Sequence, residues 1–389
     1  MNELAPEGFV RHPCSIVSSG MKQNLIITLA LLGLASIGNA QVIPLDTALW
    51  EINAQSYVLE TYKGQQAIYL QGGSMSPKEV TFLNGTIEFD IYLKEEAAFP
   101  GVNFRSVDSG DMEQFYLRPH LPGKPDANQA APAVKGVTPW QLYFGPKYSF
   151  PYDYKYDDWT HVKIVVNGDK AQVYMDYSEK PHLSWVLFHP AQPGQVVFRG
   201  GGASGMHLAN MSINHNEYEL LDFKPGIREP IEGLVPAWQV SDMFEEKLLA
   251  DPASLQQLIA ERKWGGTIKV EEGAAANISR VQTLYDGSPG ETVLARIIIQ
   301  SEKDQVKLFH FGYSDRVVAI LNGQPIYRGN NRWHSRDYRY LGTVGLFDAI
   351  YLNLKKGENT LLMAVSEDFG GWLITGKFDH PDGVIVREP

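Results

Sequence analysis

In the run Glu113-Gln-Phe-Tyr-Leu-Arg118, Phe115 and Leu117 alternate with Gln114, Tyr116 and Arg118. Successive side chains of a strand point to opposite faces, so one face here is apolar and the other carries an amide, a phenol and a guanidinium. Gly101-Val-Asn-Phe-Arg105 repeats the pattern, with Asn103 and Arg105 opposed to Val102 and Phe104. Trp140-Gln-Leu-Tyr-Phe144 sets Gln141 and Tyr143 against Trp140, Leu142 and Phe144. If the apolar sets share one core, Arg105, Gln114, Tyr116, Arg118, Gln141 and Tyr143 share one sheet face, with His120 at its edge. Planar guanidinium and amide donors beside aromatic rings suit a polyhydroxylated ligand. The same residues also fit a solvated sheet face whose arginines pair with carboxylates.

Glu88-Phe-Asp90 places two carboxylates on one face of a strand. The next acids, Glu95 and Glu96, stand roughly 23 Å from Glu88 on an extended chain. Paired carboxylates that cleave a glycoside stand about 5 to 9.5 Å apart, so a partner acid must come from another strand. Glu113 is the first candidate, with His120 and Asp126 as further acid or base candidates; Glu88 and Asp90 by default are structural acids. The histidines show no His-x-His or His-Glu-x-x-His spacing, which argues against zinc. Gly200-Gly-Gly-Ala-Ser-Gly205 lacks the Lys-Ser/Thr of a phosphate loop and reads as a turn. A second cluster, Arg332, Trp333, His334, Arg336, Asp337, Tyr338 and Tyr340, fits either a saccharide contact or an interdomain contact.

The elements that must position these residues are short strands. Tyr57–Tyr62 and Gln65–Leu70 flank Lys63-Gly64, and Gly85–Leu93, Gly101–Val107, Glu113–Arg118 and Trp140–Phe144 follow. Trp159–Val166, Lys170–Asp176, Gln195–Arg199 and Met206–Ile213 complete the set, with Asn167-Gly168-Asp169 as a hairpin turn. Leu121–Pro139, rich in Pro, Ala and Gly, reads as a long loop. Pro225, Gly226, Pro230, Gly233 and Pro236 mark a linker over residues 223–236. Beyond it, Asp251 as N-cap and Pro252 at the first position open one helix, with Leu255, Leu258 and Ile259 on one face and an end near Gly265-Gly266. Thr292–Gln300, Asp304–Phe311, Arg316–Leu321, Ala349–Leu354 and Asn359–Val365 read as strands. The expected fold is all-β: two sandwiches of the jelly-roll kind in tandem, over residues 41–222 and 237–389, with one short helix at the start of the second.

Residues 21–40 have the pattern of an export signal. Lys22 precedes the apolar run Leu25–Ala35, and Gly38 and Ala40 stand at the −3 and −1 positions of a cleavage site. The run falls short of the roughly 20 apolar residues that span a bilayer, and no later segment reaches that length. Met21 is then the natural start, Met1–Gly20 an over-extended leader, and Gln41 the first residue of an extracytoplasmic protein, periplasmic, secreted or on the cell surface. The single cysteine, Cys14, lies in that leader, so the remaining chain has no disulfide, thiolate nucleophile or cysteine metal ligand. About 350 residues remain, enough for two cores without bridges. A net charge of −11 argues against nucleic acid and anionic membrane surfaces as partners.

Gly85–Leu93, Gly101–Arg105, Phe115-Tyr-Leu-Arg-Pro-His120, Pro125–Gln129, Trp140–Tyr143 and Trp159–Lys163 together resemble the concanavalin A-like lectin/glucanase superfamily. Within it they resemble bacterial laminin-G-like and 3-keto-disaccharide hydrolase-like domains, over roughly residues 45–215. Val317–Arg328, Leu354–Leu361 and Glu367-Asp-Phe-Gly-Gly-Trp372 are similar to galactose-binding-like sandwiches. The resemblance implies carbohydrate as the partner and no organic cofactor. It also admits a structural calcium, which carbonyls and a single Asp can hold without any sequence trace. Fold does not fix function, and three expectations stand side by side: a noncatalytic carbohydrate-binding protein, a glycoside hydrolase or lyase using Glu113, His120 or Asp126, and a surface protein that contacts other proteins.

Overall fold

Alternation and turn placement translate into twelve strands before residue 222. They are β1 (Trp50–Tyr62), β2 (Gln65–Pro77), β3 (Gly85–Leu93), β4 (Gly101–Ser106), β5 (Met112–Leu117), β6 (Asn128–Ala133), β7 (Ser149–Phe150), β8 (Asp158–Asn167), β9 (Lys170–Met175), β10 (Leu183–Val186), β11 (Gln195–Arg199) and β12 (Met206–Asn214). The computed structural model describes residues 41–201, 205–251, 253–284, 290–332, 335 and 344–388. The leader, the export signal, Pro252, Trp333, His334 and Tyr338 lie outside them.

The strands run β10-β9-β8-β3-β12-β2-β11-β4-β5-β6-β7, all antiparallel, with β1 on the other edge of β2. β2 belongs to both layers of the sandwich. Its Ala67–Leu70 half pairs with β12 in the back sheet, and Ser74 and Met75 pair with β11 in the front sheet. The strand changes layer at Gly72-Gly73. Gly72 has φ +54°, and a Cβ on Gly73 would meet the Asn53 carbonyl oxygen at 2.0 Å. Between the layers lie Phe89, Phe104, Phe115, Trp185 and Phe198, all fully buried.

The second sandwich uses β13 (Ala237–Ser241), β14 (Trp264–Glu271), β15 (Ala275–Asn277), β16 (Thr292–Ser301), β17 (Gln305–Ser314), β18 (Arg316–Leu321), β19 (Gln324–Asn330), β20 (Asp348–Leu354), β21 (Gly357–Ser366), β22 (Leu373–Phe378) and β23 (Val384–Arg387). Their order is β19-β18-β21-β16-β13-β14-β15-β22-β17-β20, with β23 on β16. Trp238, Phe309, Phe311 and Trp372 fill its core. The helix α1 (Leu255–Glu261) lays Leu255 and Leu258 against Val318, Ile320 and Leu362 on the outside of one sheet. It starts later than expected. Ser254 holds the N-cap position without a side-chain capping bond, its hydroxyl donating instead to the Asp251 carbonyl at 3.1 Å, while the Asp251 carboxylate accepts from the Ala253 N–H at 3.0 Å. It also ends before Gly265, which is already in β14. No helix among the described residues is long and apolar enough to cross a membrane.

Two expectations near the candidate site fail. Trp140–Phe144 is a turn, with the Leu142 N–H bonded to the Pro139 carbonyl at 2.9 Å, so strand parity does not apply to Gln141 and Tyr143. The expected loop Leu121–Pro139 contains β6, which lies next to β5 in the front sheet. Its sequence, Asn-Gln-Ala-Ala-Pro-Ala, has neither bulky β-formers nor visible alternation, yet all six residues are buried. The described residues form one compact unit, in which Ala274, Ala275, Val344 and Leu373 of the second sandwich join the first core. The linker lies along this joint, with the Ile231 N–H on Gly273 O at 2.8 Å and the Val235 N–H on Gly376 O at 2.8 Å.

Candidate binding site

Tyr116 on β5 stands opposite Gly101 on β4 and Gln129 on β6, and Gly101 stands opposite Arg199 on β11. Residues in register share a face, so Arg199, Tyr116 and Gln129 project from the front sheet together. Gly101 is required there. A Cβ would meet the Phe115 carbonyl oxygen at 2.2 Å and the Tyr116 Cβ at 2.9 Å. With no side chain between them, the Arg199 guanidinium lies 5.6 Å from the Tyr116 ring centroid, and that of Arg118 lies 5.0 Å from it.

Hydrogen bonds fix this floor. Tyr116 OH donates to Gln129 Oε1 at 3.0 Å, and Arg118 Nη2 donates to Tyr116 OH at 3.2 Å and to Gln129 Oε1. Arg118 Nη1 donates to the Asp126 carbonyl at 2.6 Å, with the half-exposed Asp126 carboxylate 3.9 Å away. Gln129 Nε2 in turn donates to the Trp140 carbonyl at 3.0 Å and to that of Tyr143. Burial pushes the Tyr116 phenol above its ordinary range. The rim is Phe99, 47% exposed, whose ring meets Tyr116 at 6.3 Å and His120 at 5.3 Å, both edge-on. Burial, and then the charge of Arg118, hold His120 below its ordinary value and therefore neutral near pH 7. Three buried polar atoms here lack a partner: Asn103 Oδ1, His120 Nδ1 and Arg199 Nε.

The other expected face residues take no part in this floor. Gln114 remains on the front face, but its side chain accepts from the Thr138 hydroxyl at 2.9 Å, next to the segment whose Gln141 contacts the second sandwich. Arg105 leaves the face. Between Asn103 and Ser106, β4 carries one residue more than β11, and Arg105 takes φ +50° in this bulge, which breaks the alternation. Its guanidinium clamps the Leu83 carbonyl at 2.9 and 2.6 Å and the Gly168 carbonyl at 2.7 Å. Gln141 and Tyr143 form the joint between the sandwiches. Gln141 donates to Ser314 Oγ at 3.2 Å and accepts from the Gly371 N–H at 2.8 Å. Tyr143 OH donates to Glu271 Oε2 at 2.5 Å, and Arg280 holds the same carboxylate at 2.9 and 2.8 Å. In the second cluster, Arg332 is half-exposed and pairs with Asp368.

The candidate acids do not converge on the Tyr116 cleft. Glu113 points inward, and its oxygens accept from the Phe188 and His189 N–H groups at 3.0 and 2.9 Å. Burial, partly offset by those two bonds, pushes its carboxyl up to about 7. A group that titrates near neutrality suits acid catalysis, but its lone pairs are committed to backbone amides. Glu88 and Asp90 project from the back sheet and grip His161, with Asp90 Oδ1 on Nδ1 at 2.6 Å and Glu88 Oε2 on Nε2 at 3.2 Å. Asn210 donates to the other Asp90 oxygen at 2.7 Å, and the Tyr177 ring stacks on the imidazole at 3.9 Å. Among the described residues no group of three His, Cys, Asp or Glu could hold a metal ion.

No family model matches the chain, and no curated protein matches it. Solved structures with which it shares similarity include the carbohydrate-binding module CBM66 from Bacillus subtilis, at 14% identity over 43% of this chain and 95% of that one, with TM-score 0.32. Another is the Caenorhabditis elegans galectin LEC-6, at 14% identity over 44% of this chain and 100% of that one, with TM-score 0.28. A third is domain 4 of the arabinanase AbnA from Geobacillus stearothermophilus, in complex with arabinotriose, at 10% identity over 43% of this chain and 85% of that one, with TM-score 0.29.

Sequence reasoning missed Arg199, Gln129 and Phe99. Arg199 was within reach, because Phe198 points inward and its neighbour must then point out. Gln129 was hidden in the expected loop, and nothing local marks Phe99.

Proposed function

We propose that this is an exported, noncatalytic carbohydrate-binding protein that holds a glycan on the front face of the first sandwich, over Tyr116. The observation that carries this reading is the gathering of three partnerless buried polar groups, Asn103 Oδ1, His120 Nδ1 and Arg199 Nε, on the face that presents Tyr116 and its rim. A buried group without a partner costs about 1 to 3 kcal/mol. A saccharide, whose hydroxyls both donate and accept, relieves such groups while the exposed Phe99 ring packs on its apolar face. Glu113 faces the core and Glu88 and Asp90 lie on the opposite sheet, so of these candidate acids only Asp126 stands at the cleft, which favours binding over hydrolysis.

A glycan-array screen of residues 41–389 with product analysis on every hit tests this. Arg118→Ala is expected to weaken a hit by about 1 to 3 kcal/mol, the scale of a lost charged hydrogen bond, and Tyr116→Phe by less because the ring remains. Unchanged binding by Arg118→Ala together with loss in Trp333→Ala moves the site to the second sandwich. Cleavage products from a hit, lost in Glu113→Gln, make the protein a hydrolase or lyase.

A further inference from the structure

Arg199 has no counter-charge. Among the described residues no carboxylate lies within ion-pair distance of it, although the chain as a whole carries a net charge of −11. Its Nη2 donates to a neutral acceptor, the Phe99 carbonyl, at 3.0 Å, and its Nε has no acceptor at all. Burial pulls the guanidinium below its ordinary value, and only the Tyr116 phenol opposes that electrostatically. The second guanidinium of the cleft, Arg118, spends its short bonds on neutral oxygens, those of Tyr116, Gln129 and the Asp126 backbone, while the Asp126 carboxylate stays 3.9 Å away and half-exposed. Two cations thus lie within 6 Å of one ring centroid, at 5.0 and 5.6 Å, and the one nearby anion, the partly solvated Asp126 carboxylate, stands beside Arg118. His120, the third basic group at the rim, is neutral near pH 7 and offers a neutral ring nitrogen to the ligand.

From this imbalance, and resting on the carbohydrate-binding reading above, we infer that the glycan is acidic: a hexuronic acid unit whose carboxylate docks on Arg199. A half-buried charge without a counter-ion is stabilised by an anion that pairs with it, and the planar guanidinium fork matches a carboxylate in two-point geometry. The glycine at position 101 puts no side chain from β4 between Arg199 and Tyr116, so the strand register holds the guanidinium beside the Tyr116 ring. The neutral orphan groups, Asn103 Oδ1 and His120 Nδ1, then serve the hydroxyls of the same residue or of the next one along the chain.

The experiment measures binding of residues 41–389 to polygalacturonate, alginate and hyaluronan by calorimetry, each beside its carboxyl-reduced neutral counterpart. At least one polyuronate is expected to bind at least ten-fold more tightly than its reduced form. Raising salt from 50 to 500 mM should weaken that binding, since part of it is a charge pair reached from solvent. Arg199→Gln should remove both the preference for the acidic form and most of the salt dependence, and Arg199→Lys, which keeps charge but loses the fork, should restore only part. The comparison of acidic and reduced glycans uses the unaltered protein, so it decides the matter even where Arg199→Gln does not fold. Equal binding of a polyuronate and its reduced form, weakened by Arg118→Ala, overturns the acidic-ligand inference while the saccharide site stands. A polyuronate preference untouched in folded Arg199→Gln places the anion elsewhere and overturns it too. Absence of binding to every acidic and neutral glycan overturns the carbohydrate reading itself.

Discussion

His161 is caught between two carboxylates, and replacing it by glutamine should cost stability in a pH-dependent way. Burial alone would lower its pKa, but the bonds to Asp90 and Glu88 and their charges outweigh burial and lift it from 6.5 to about 9. At about 1.4 kcal/mol per pH unit, that difference corresponds to about 3 to 4 kcal/mol at most. The Glu88 side chain is 22% exposed, so solvent screening reduces the expected contribution to about 1 to 2 kcal/mol. The folded pKa is above the unfolded one, so the contribution is fully present below pH 6.5 and is lost as pH rises through 9. Glu88 behaves oppositely. The hydrogen bond from His161 holds its pKa below 4.5 against burial, so its share is present above 4.5 and lost as pH falls through the lowered value. Urea denaturation of the parent and of His161→Gln at pH 6, 7.5 and 10 should show a stability gap that is wide at the first two and narrows at the third. Loss of the Tyr177 stack leaves a residue of the gap at every pH. A gap that stays constant from pH 6 to 10 would refute the charged-histidine account.

Tyr143→Phe removes a buried hydroxyl bonded to Glu271 and should destabilise the chain by about 1 to 2 kcal/mol, because Arg280 still neutralises the carboxylate; a double-mutant cycle with Glu271→Gln should recover a coupling of similar size. Gly101→Ala places a methyl group 2.2 Å from the Phe115 carbonyl oxygen and should lower the melting temperature while weakening any glycan held over Tyr116. The fragments 41–222 and 237–389 should each melt cooperatively but below the parent, since separation exposes Ala274, Ala275 and Leu373, now buried in the shared core; fragments as stable as the parent would show that the joint contributes nothing. Intact-mass analysis of the exported protein should find Gln41 at the N-terminus, and retention of residues 21–40 would rule out the signal.

The sandwich architecture was legible because its strands carry strong alternation and its turns carry Asn-Gly, Lys-Gly and Gly-rich breaks. Gly85–Leu93, Gln195–Arg199 and Arg316–Leu321 appear in the structure with the boundaries that the pattern gives them. Parity worked where the strand was regular, bringing Gln114, Tyr116 and Arg118 to one face. It failed at Arg105, where one extra residue in a bulge resets the phase, and a bulge leaves no mark in composition. It failed at Gln141 and Tyr143 for another reason: a five-residue apolar-polar alternation also fits a turn pinned between two domains. β6 was invisible because alanine, proline and amides carry almost no pattern; its burial comes from the neighbours that cover it.

The passage of β2 from one layer to the other has a consequence for what the gene can tolerate. Ala67–Leu70 and Ser74–Met75 are the same strand, so a single inserted or deleted residue at Gly72-Gly73 shifts one half against the other by one position. Since the side-chain period is two, that shift would turn Met75 out to solvent and drive Ser74 and Ser76 into the core, while the back sheet kept its phase. Homologous sequences are therefore expected to conserve spacing across this bend more strictly than the identity of the residues on either side. A length change there would surface as misfolded protein in an expression screen rather than as altered binding.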